Sequence, residues 1–314
     1  MKRIAWPVFS ITLILIVITG FLYRERDTLA TLQGISVRFI LLLISLQSGV
    51  LVVNGIALRI LSTKLNVHLK IKEWLGLSFM TTLGNMITPF SGGLIARAAY
   101  LKHRHGFSYA QFVTSLAANY LISFMMVSVT GLIVLTVFHR HFGFFWELTL
   151  VFLITALILV ALVLTPPREL TWNNRLVHNI NEAIRGWTYI KRDRALIIRL
   201  SFCTMINILL GGAMYQMAYR SYGLAVPFDL SLLVSLLASF SILINLTPGN
   251  FGIQEAIVAV SSELLGMGAA YGVLVSLLLR LTGLLVAFTL GALFSYVLSR
   301  ELSTDRGAFE QTKT

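Results

Sequence analysis

The fold of this chain is decided by the stretch Thr247-Pro248-Gly249-Asn250-Phe251-Gly252, which interrupts the apolar run Leu230–Leu265. Proline removes a backbone donor and glycine permits a sharp reversal, so a helix cannot continue through this stretch. Each half of the run is shorter than the roughly 20 residues that a transmembrane helix needs. Non-helical backbone at membrane depth is tolerated only where it is buried in protein or lines a water-filled cavity. The stretch therefore predicts a broken, re-entrant hairpin.

A second interruption divides the apolar region Trp74–Leu101, and it reads Thr88-Pro89-Phe90-Ser91-Gly92-Gly93. The two interruptions match at threonine, at proline and at the final glycine, with the same spacing between the three. Hairpins that enter from opposite sides of the bilayer make the halves of a chain an inverted-topology repeat, and in such transporters the broken helices build the substrate site near the midplane. We therefore expect two re-entrant broken helices in an inverted-topology repeat.

The composition identifies the class of protein. Hydrophobic residues make up 57% of the 314 residues, charged residues make up only 12%, and the mean hydropathy is +0.82. Because soluble domains carry about 25% charged residues, most of this surface must face lipid, and we predict an all-α integral membrane protein. The composition excludes a soluble enzyme, a disordered chain and a disulfide scaffold. The net charge of +12 reflects the basic loops of membrane proteins rather than nucleic-acid binding.

Six full transmembrane helices are expected beside the two hairpins, and they are Ile4–Tyr23, Val37–Leu61, Tyr109–Phe138, Phe142–Leu164, Leu200–Tyr219 and Ala269–Ser299. A competing interpretation counts each hairpin as two short spans. Most of the 25 Lys and Arg residues fall on one side of this arrangement, which places both termini in the cytoplasm. Residues 1–300 are then one membrane domain that includes a basic cytoplasmic loop at 165–199, and residues 301–314 are a polar cytoplasmic tail.

The basic loop contains an amphipathic stretch, Asn173–Arg192, with apolar residues at helical spacing and basic residues off that stripe. This pattern is typical of an interfacial helix, and we expect it to lie on anionic lipid at the cytoplasmic face. His103 and His105, like His139 and His141, stand two residues apart and do not share a helix face. No metal site and no cofactor are therefore expected.

One known family has a similar pattern. The chain resembles the lysylphosphatidylglycerol synthase transmembrane-region family in Thr88-Pro89-x-x-x-Gly93-x-x-x-Arg97, in Thr247-Pro248-Gly249-x-x-Gly252-x-x-Glu255 and in Leu279-Arg280. This family is the flippase-like domain of the bacterial multiple-peptide-resistance proteins, and the resemblance covers about residues 5–300. It implies a multi-pass protein of the bacterial cytoplasmic (inner) membrane that moves a phospholipid or another lipid-linked amphiphile between leaflets.

The resemblance covers the membrane region and does not include the synthase activity. Full-length synthases carry a soluble aminoacyltransferase domain after the membrane region, whereas this chain ends at Thr314. We therefore expect a stand-alone member that does not make lysyl-lipid.

Three charged residues within or beside the apolar segments are the candidate substrate-binding residues: Arg97, Glu255 and Arg280. An ionisable residue at the bilayer centre costs roughly 2.5–3.5 kcal/mol, so it needs a partner or a function. Arg280 is interpreted either as a phosphate clamp or as the ion-pair partner of Glu255, and the two roles can alternate during transport. Glu255 caps the returning half-helix, pairs with Arg280 or receives a cationic headgroup. Arg97 binds the headgroup or anchors a helix end.

Polar residues beside the two interruptions are expected to line the same site, and these are Asn85, Asn245 and Asn250. The hairpin turns are assigned to Thr88, Pro89, Gly92, Gly93, Thr247, Pro248, Gly249 and Gly252. Backbone amides of the second turn stand at a half-helix N-terminus, where phosphate binds readily. The first turn has Phe90-Ser91 after its proline, where a Pro-Gly pair is expected, so its geometry stays open.

Two other functions remain open at this point. One is a membrane-embedded transferase that acts on a lipid-linked substrate with Glu255 as its base, although no paired carboxylate or histidine stands near the interruptions. The other is an accessory subunit of a biosynthetic enzyme. The leading prediction is a transporter and not an enzyme, with membrane lipid as its partner, no nucleic acid, and either a second copy or a biosynthetic enzyme as a protein partner. Because no ATP-binding motif occurs, transport is expected to be passive or coupled to an ion gradient.

Overall fold

The computed structural model describes residues 35–142, 146–164, 181, 187–188, 190–244 and 246–311. Among these residues, five helices are long and apolar enough to cross a membrane: Val37–Lys64, Tyr109–Val137, Trp146–Leu164, Arg194–Ser221 and Ala269–Glu301. They coincide with five of the six predicted full spans, and all regular structure in the described part is helical. The prediction of an all-α membrane protein is thereby confirmed. The first predicted span, Ile4–Tyr23, lies outside the described residues, as does most of the helix predicted at Asn173–Arg192.

The helices follow one another in a simple order. They are α1 (Val37–Lys64), α2 (Ile71–Ile87), α3 (Gly92–His105), α4 (Tyr109–Phe142), α5 (Trp146–Leu164), α6 (Arg194–Ser221), α7 (Phe228–Ser239), α8 (Ile253–Leu264), α9 (Ala269–Val286) and α10 (Ala292–Gln311). Two 3-10 turns, Phe240–Ile244 and Pro248–Asn250, lie between α7 and α8. A π-helical turn, Ala287–Gly291, joins α9 to α10.

Two helix ends differ from the predicted ends of the apolar spans. α4 continues to Phe142, which was predicted to begin the next span, and α10 continues to Gln311, well beyond Ser299. Hydropathy marks where a chain leaves lipid, whereas the helix itself ends only where capping or turn residues stop it. The chain after Ser299 contains glutamate, leucine, arginine and alanine, which are good helix formers.

The chain forms two compact units. The first consists of the described parts of residues 1–51, 79–94 and 208–292, and it contains both interruptions together with Glu255 and Arg280. The second consists of the described parts of residues 52–78, 95–207 and 293–314, and it contains the outer ends of α2 and α3.

Helices α2 and α3 form a tight hairpin at their junction in the first unit. A Cβ atom on Gly93 would lie 2.0 Å from the carbonyl oxygen of Thr81 and 2.8 Å from the backbone nitrogen of Asn85. A Cβ atom on Gly84 would lie 2.6 Å from the Cα of Gly93. Real Cβ atoms do not come this close to a backbone, so the absence of side chains at Gly84 and Gly93 is what allows α3 to return beside α2.

A buried carboxylate fastens the outer ends of the same hairpin, in the second unit. Glu73 is 1% exposed, accepts a hydrogen bond from the Lys70 N–H at 2.8 Å, and lies 2.9 Å from His105 Nε2. The Tyr100 hydroxyl donates to it at 3.3 Å, and Arg104 Nε is 3.6 Å away. Sequence reasoning found no acidic partner for the histidine because Glu73 stands 32 residues before His105, and only the hairpin brings the two together.

Another ion pair connects α1 to α6 in the second unit. Lys64 Nζ lies 2.7 Å from a carboxylate oxygen of Asp193, and the Leu196 N–H donates to the other oxygen at 2.9 Å. Asp193 therefore caps the start of α6 while it pairs with the last residue of α1. The hydrogen bond from Lys64 and the one from Leu196 hold the pKa of Asp193 below its ordinary value.

Candidate functional site at the second helix break

The backbone between α7 and α8 is irregular over a longer stretch than the sequence predicts. The 3-10 turn that begins at Phe240 ends the regular helix before the predicted break at Thr247. Gly249, Asn250 and Gly252 then have φ values of 59°, 60° and 86°. Glycine accepts this left-handed region without a steric cost, and asparagine tolerates it better than most residues do. The two glycines are therefore required by the turn.

Side chains within the turn satisfy its own backbone. The Thr247 hydroxyl donates to the carbonyl oxygen of Phe251 at 2.8 Å, and Asn250 Nδ2 donates to the carbonyl oxygen of Ser241 at 2.5 Å. Asn250 is buried, and its Oδ1 has no hydrogen-bond partner in the part of the chain that the structure describes. The turn thus keeps one buried acceptor unused.

Glu255 caps the helix that leaves the turn. It stands in the first turn of α8, and its Oε2 accepts a hydrogen bond from the Gly252 N–H at 2.6 Å. A carboxylate at this place satisfies a free backbone donor and complements the positive end of the helix dipole. Capping is one of the roles predicted for this residue.

Arg280 joins Glu255 to the turn. Its Nε donates to Glu255 Oε1 at 2.5 Å, its Nη1 donates to the Gly249 carbonyl oxygen at 2.8 Å, and its Cζ lies 4.9 Å from the centre of the Phe251 ring. The side chains of Arg280 and Glu255 are 12% and 4% exposed. The predicted ion pair is therefore formed, in a site that is nearly closed to solvent, and the stacked aromatic ring adds a cation–π contact.

Close packing of α8 against α9 positions this pair. A Cβ atom on Gly272 would lie 2.7 Å from the Val258 carbonyl oxygen and 2.8 Å from the Cα of Ala259, so the two backbones approach each other closely. A hydrogen bond of 2.5 Å between the hydroxyls of Tyr219 and Ser262 fixes α8 against α6. These contacts between helices hold Arg280 and Glu255 in register.

The first break shares two backbone conformations with the second. Phe90 and Ser91 each have a φ of 55°, and they follow Thr88-Pro89 as Gly249 and Asn250 follow Thr247-Pro248. Phe90 therefore adopts the left-handed conformation of Gly249, although bulky residues avoid that region. The two paths then differ, because Gly93 already lies in α3, whereas the matching Gly252 precedes α8 and has a φ of 86°. The Thr88 hydroxyl donates to the Gly84 carbonyl oxygen at 2.6 Å, and Asn85 Oδ1 is buried with no hydrogen-bond partner among the described residues.

The two breaks meet within the first unit. The Cα of Met86 lies 3.5 Å from the position that a Cβ on Gly249 would take, and Arg280 Nη1 lies 3.1 Å from the same position. The predicted residues Asn85, Asn250, Glu255 and Arg280 thus all belong to the unit in which the breaks touch. Arg97 belongs to the second unit, where it interacts with Tyr120. Asn245 lies outside the described residues.

Sequence reasoning missed three residues of this site: Met86, Phe251 and Tyr215. Met86 carries no sequence signal beyond its position near the first interruption, and Phe251 carries none beyond its position within the second. Tyr215 lies on α6, is 5% exposed, and interacts electrostatically with Glu255 and Arg280. Tyr215 is distant from both interruptions along the chain, so no sequence pattern connects it to them.

The arrangement has the chemistry of an anion site that a carboxylate already occupies. A guanidinium and a backbone N–H at a helix N-terminus are the donors that bind phosphate in many proteins, and here both donate to Glu255. No group of three or more metal-ligating side chains occurs in the described ranges.

One known protein-family model matches most of the chain. The family model described as the lysylphosphatidylglycerol synthase TM region matches residues 8–291, so the chain belongs to this family. No individual curated protein matches the sequence. Membership of this family, together with the five long apolar helices, identifies a multi-pass membrane protein linked to lipid biology.

Proposed function

We propose that this member of the lysylphosphatidylglycerol synthase TM-region family is a flippase-like transporter. It moves a phospholipid or another lipid-linked amphiphile between the leaflets of a bacterial inner membrane, with both of its termini in the cytoplasm. The observation that carries this proposal is the buried Arg280–Glu255 pair at a broken helix. Charges in an apolar protein are costly and mark pathways for polar groups across the membrane.

Two matching backbone conformations in the two breaks support the predicted repeat. Positive φ values at Phe90 and Ser91 correspond in order to those at Gly249 and Asn250. α7 and α8 have 12 residues each, or about 18 Å of helix, which is too short to cross a core of about 30 Å alone. In the proposed topology both broken segments are re-entrant hairpins, they enter from opposite sides, and their tips form the polar path.

Exchange of partners on Arg280 is the proposed transport step. The headgroup phosphate takes the place of the Glu255 carboxylate on the guanidinium, and backbone amides of the Gly249–Gly252 turn approach its oxygens. Glu255 keeps its hydrogen bond to Gly252, so α8 stays capped while Arg280 changes partner. The acyl chains remain in lipid throughout.

The transferase alternative finds less support in this geometry. A general base needs a carboxylate oxygen that is oriented toward the proton that it removes. Both oxygens of Glu255 already accept hydrogen bonds, from Gly252 and from Arg280. This favours binding and exchange over proton transfer.

Leaflet-resolved labelling tests the proposal. The purified full chain is reconstituted into vesicles with a trace of fluorescent phospholipid, and a membrane-impermeant quencher reports how quickly label leaves the inner leaflet. We expect faster exchange than in protein-free vesicles, and a loss of this gain in Arg280→Ala. Exchange at the protein-free rate with several headgroups, from protein shown to be folded, would argue against transport.

A further inference from the structure

Arg280 has one guanidinium nitrogen that its ion pair leaves unused. Nε donates to Glu255 and Nη1 to Gly249, whereas Nη2 is buried and has no hydrogen-bond partner among the residues that the structure describes. A buried donor without a partner is destabilising, so Nη2 is available to donate to an incoming oxygen. Access of an oxygen to Nη2 therefore depends on the groups that pack around Arg280.

Met86 packs at the turn that Arg280 contacts. Its Cα and Cγ are 3.5 Å and 3.6 Å from the position that a Cβ on Gly249 would take. Its Cε is 3.3 Å from the corresponding position on Gly283, which stands about one turn beyond Arg280 on α9. The Met86 side chain thus extends from the turn at Gly249 to Gly283 on α9, and Arg280 Nη1 lies 3.1 Å from the same Gly249 position.

The backbone behind Met86 is firmly held. A Cβ atom on Gly291 would lie 3.0 Å from the Phe79 carbonyl oxygen and 3.0 Å from Leu83 Cβ, so α2 rests directly on the π-helical turn. Methionine is unbranched and has three rotatable side-chain bonds, and side-chain rotamers change far faster than packed helices move. The part of this contact that moves most easily is therefore the Met86 side chain.

We infer that Met86 is a movable cover, supplied by the first hairpin, that closes Arg280 to anionic oxygens until its side chain swings away. This inference rests on the proposed function, because it concerns the same site. The two hairpins then have different roles, since the second binds the anion and the first decides when the anion can enter.

Chemical modification of Arg280 tests the cover without any transport measurement. Phenylglyoxal, an arginine-selective dicarbonyl, is added to the purified full chain in detergent micelles, and the modification rate of each arginine is followed by peptide mass spectrometry. Arg59 and Arg220 are exposed and serve as references within the same molecule. In the wild type, we expect Arg280 to react far more slowly than either reference.

Met86→Ala is expected to raise the Arg280 rate to that of the exposed references, while the references themselves keep their rates. Met86→Val, which removes the reach of Sδ and Cε but keeps apolar bulk, is expected to do the same if the alanine variant folds poorly. Met86→Leu retains most of the volume and is expected to keep Arg280 protected. Met80→Ala, which truncates another methionine of α2, is the matched control and is expected to change nothing.

Two results overturn the cover: an Arg280 rate that is unchanged in Met86→Ala and Met86→Val, or an equal increase in Met80→Ala. In the first case, an increase in Glu255→Gln alone would assign the protection to the ion pair. The outcomes also separate this inference from the proposed function. Reactivity that depends on Met86 in a protein that moves no lipid supports the cover and removes the transporter, whereas lipid exchange with Met86-independent reactivity does the reverse.

Discussion

The two helix breaks begin with the same backbone conformations but carry different side chains. After Thr-Pro, the second break places Gly249 and Asn250 in the left-handed region, and the first places Phe90 and Ser91 there. The second is followed by Glu255, which pairs with Arg280, whereas the first contributes tightly packed glycines and an apolar contact. The left-handed turn residues are therefore not what gives the second break its ion pair. The ion pair comes from the side chains around the turn, Glu255 and Arg280.

The largest difference between the breaks is expected when their polar residues are removed. Arg280→Ala strands the buried Glu255 carboxylate and is expected to cost about 3–5 kcal/mol of folding stability. Arg280→Ala/Glu255→Ala should recover part of that loss, because no charge then stays unpaired. Asn85→Ala at the first break removes an amide whose Oδ1 is already unpaired and should cost much less. Thermal unfolding of the purified variants measures all three, and a double variant no more stable than Arg280→Ala would contradict the structural pair.

The ion pair shows how far sequence reasoning reaches. Five spans, both breaks and the pairing of Arg280 with Glu255 could be predicted, because apolar length, proline-glycine interruptions and a charge in an apolar run are all local signals. The contact of Met86 with Gly249 could not, because an apolar residue beside a break resembles any other until the two hairpins are placed together. The same holds for Glu73 and His105, whose contact depends on the return of α3 beside α2.

A smaller difference in folding stability should distinguish Gly249, which is closely packed, from Gly106, which has a positive φ but no close neighbours. Gly249 and Gly106 both have positive φ, 59° and 66°, but a Cβ on Gly249 would lie 3.1 Å from Arg280 Nη1, and one on Gly106 would meet nothing within 4 Å. Both alanine variants should lose about 1–2 kcal/mol from the left-handed backbone. Gly249→Ala should lose more, because Arg280 Nη1 must also shift. Equal unfolding temperatures for the two variants would count against the tight packing around Gly249.

At the first break, the reverse substitution, from a side chain to glycine at Phe90, should be tolerated. Phe90 is exposed and has a φ of 55°, so Phe90→Gly removes a strained conformation and gives up little buried surface. The relief of about 1–2 kcal/mol exceeds the entropic cost of glycine, about 0.5–1 kcal/mol. We expect a small gain in thermal stability. A clear loss would show that the Phe90 ring stabilises the hairpin through contacts, and the comparison between the breaks would then need revision.

The smallest effect concerns pH, at a site away from both breaks. Because the pKa of Asp193 is lowered in the folded chain, its pair with Lys64 contributes stability that is present above the ordinary carboxyl value of 3.8 and is lost as pH falls through the folded pKa. Asp193→Asn keeps a good N-cap and removes the charge. The stability difference between wild type and Asp193→Asn should therefore shrink only at acid pH, as followed by thermal unfolding across a pH series. A difference that stays constant down to acid pH would exclude the ion pair as its source.

The central claim is that the two broken helices together form the lipid path, and lipid exchange by glycine variants in vesicles tests it most directly. Gly252 has a φ of 86°, and a Cβ on Gly93 would lie 2.0 Å from a backbone oxygen. Gly252→Leu and Gly93→Leu should both reduce exchange to the rate of protein-free vesicles. Gly106→Leu, which carries similar backbone strain in open space, should exchange at nearly the wild-type rate. Wild-type exchange by both Gly252→Leu and Gly93→Leu would contradict the account and place the lipid path among the full spans.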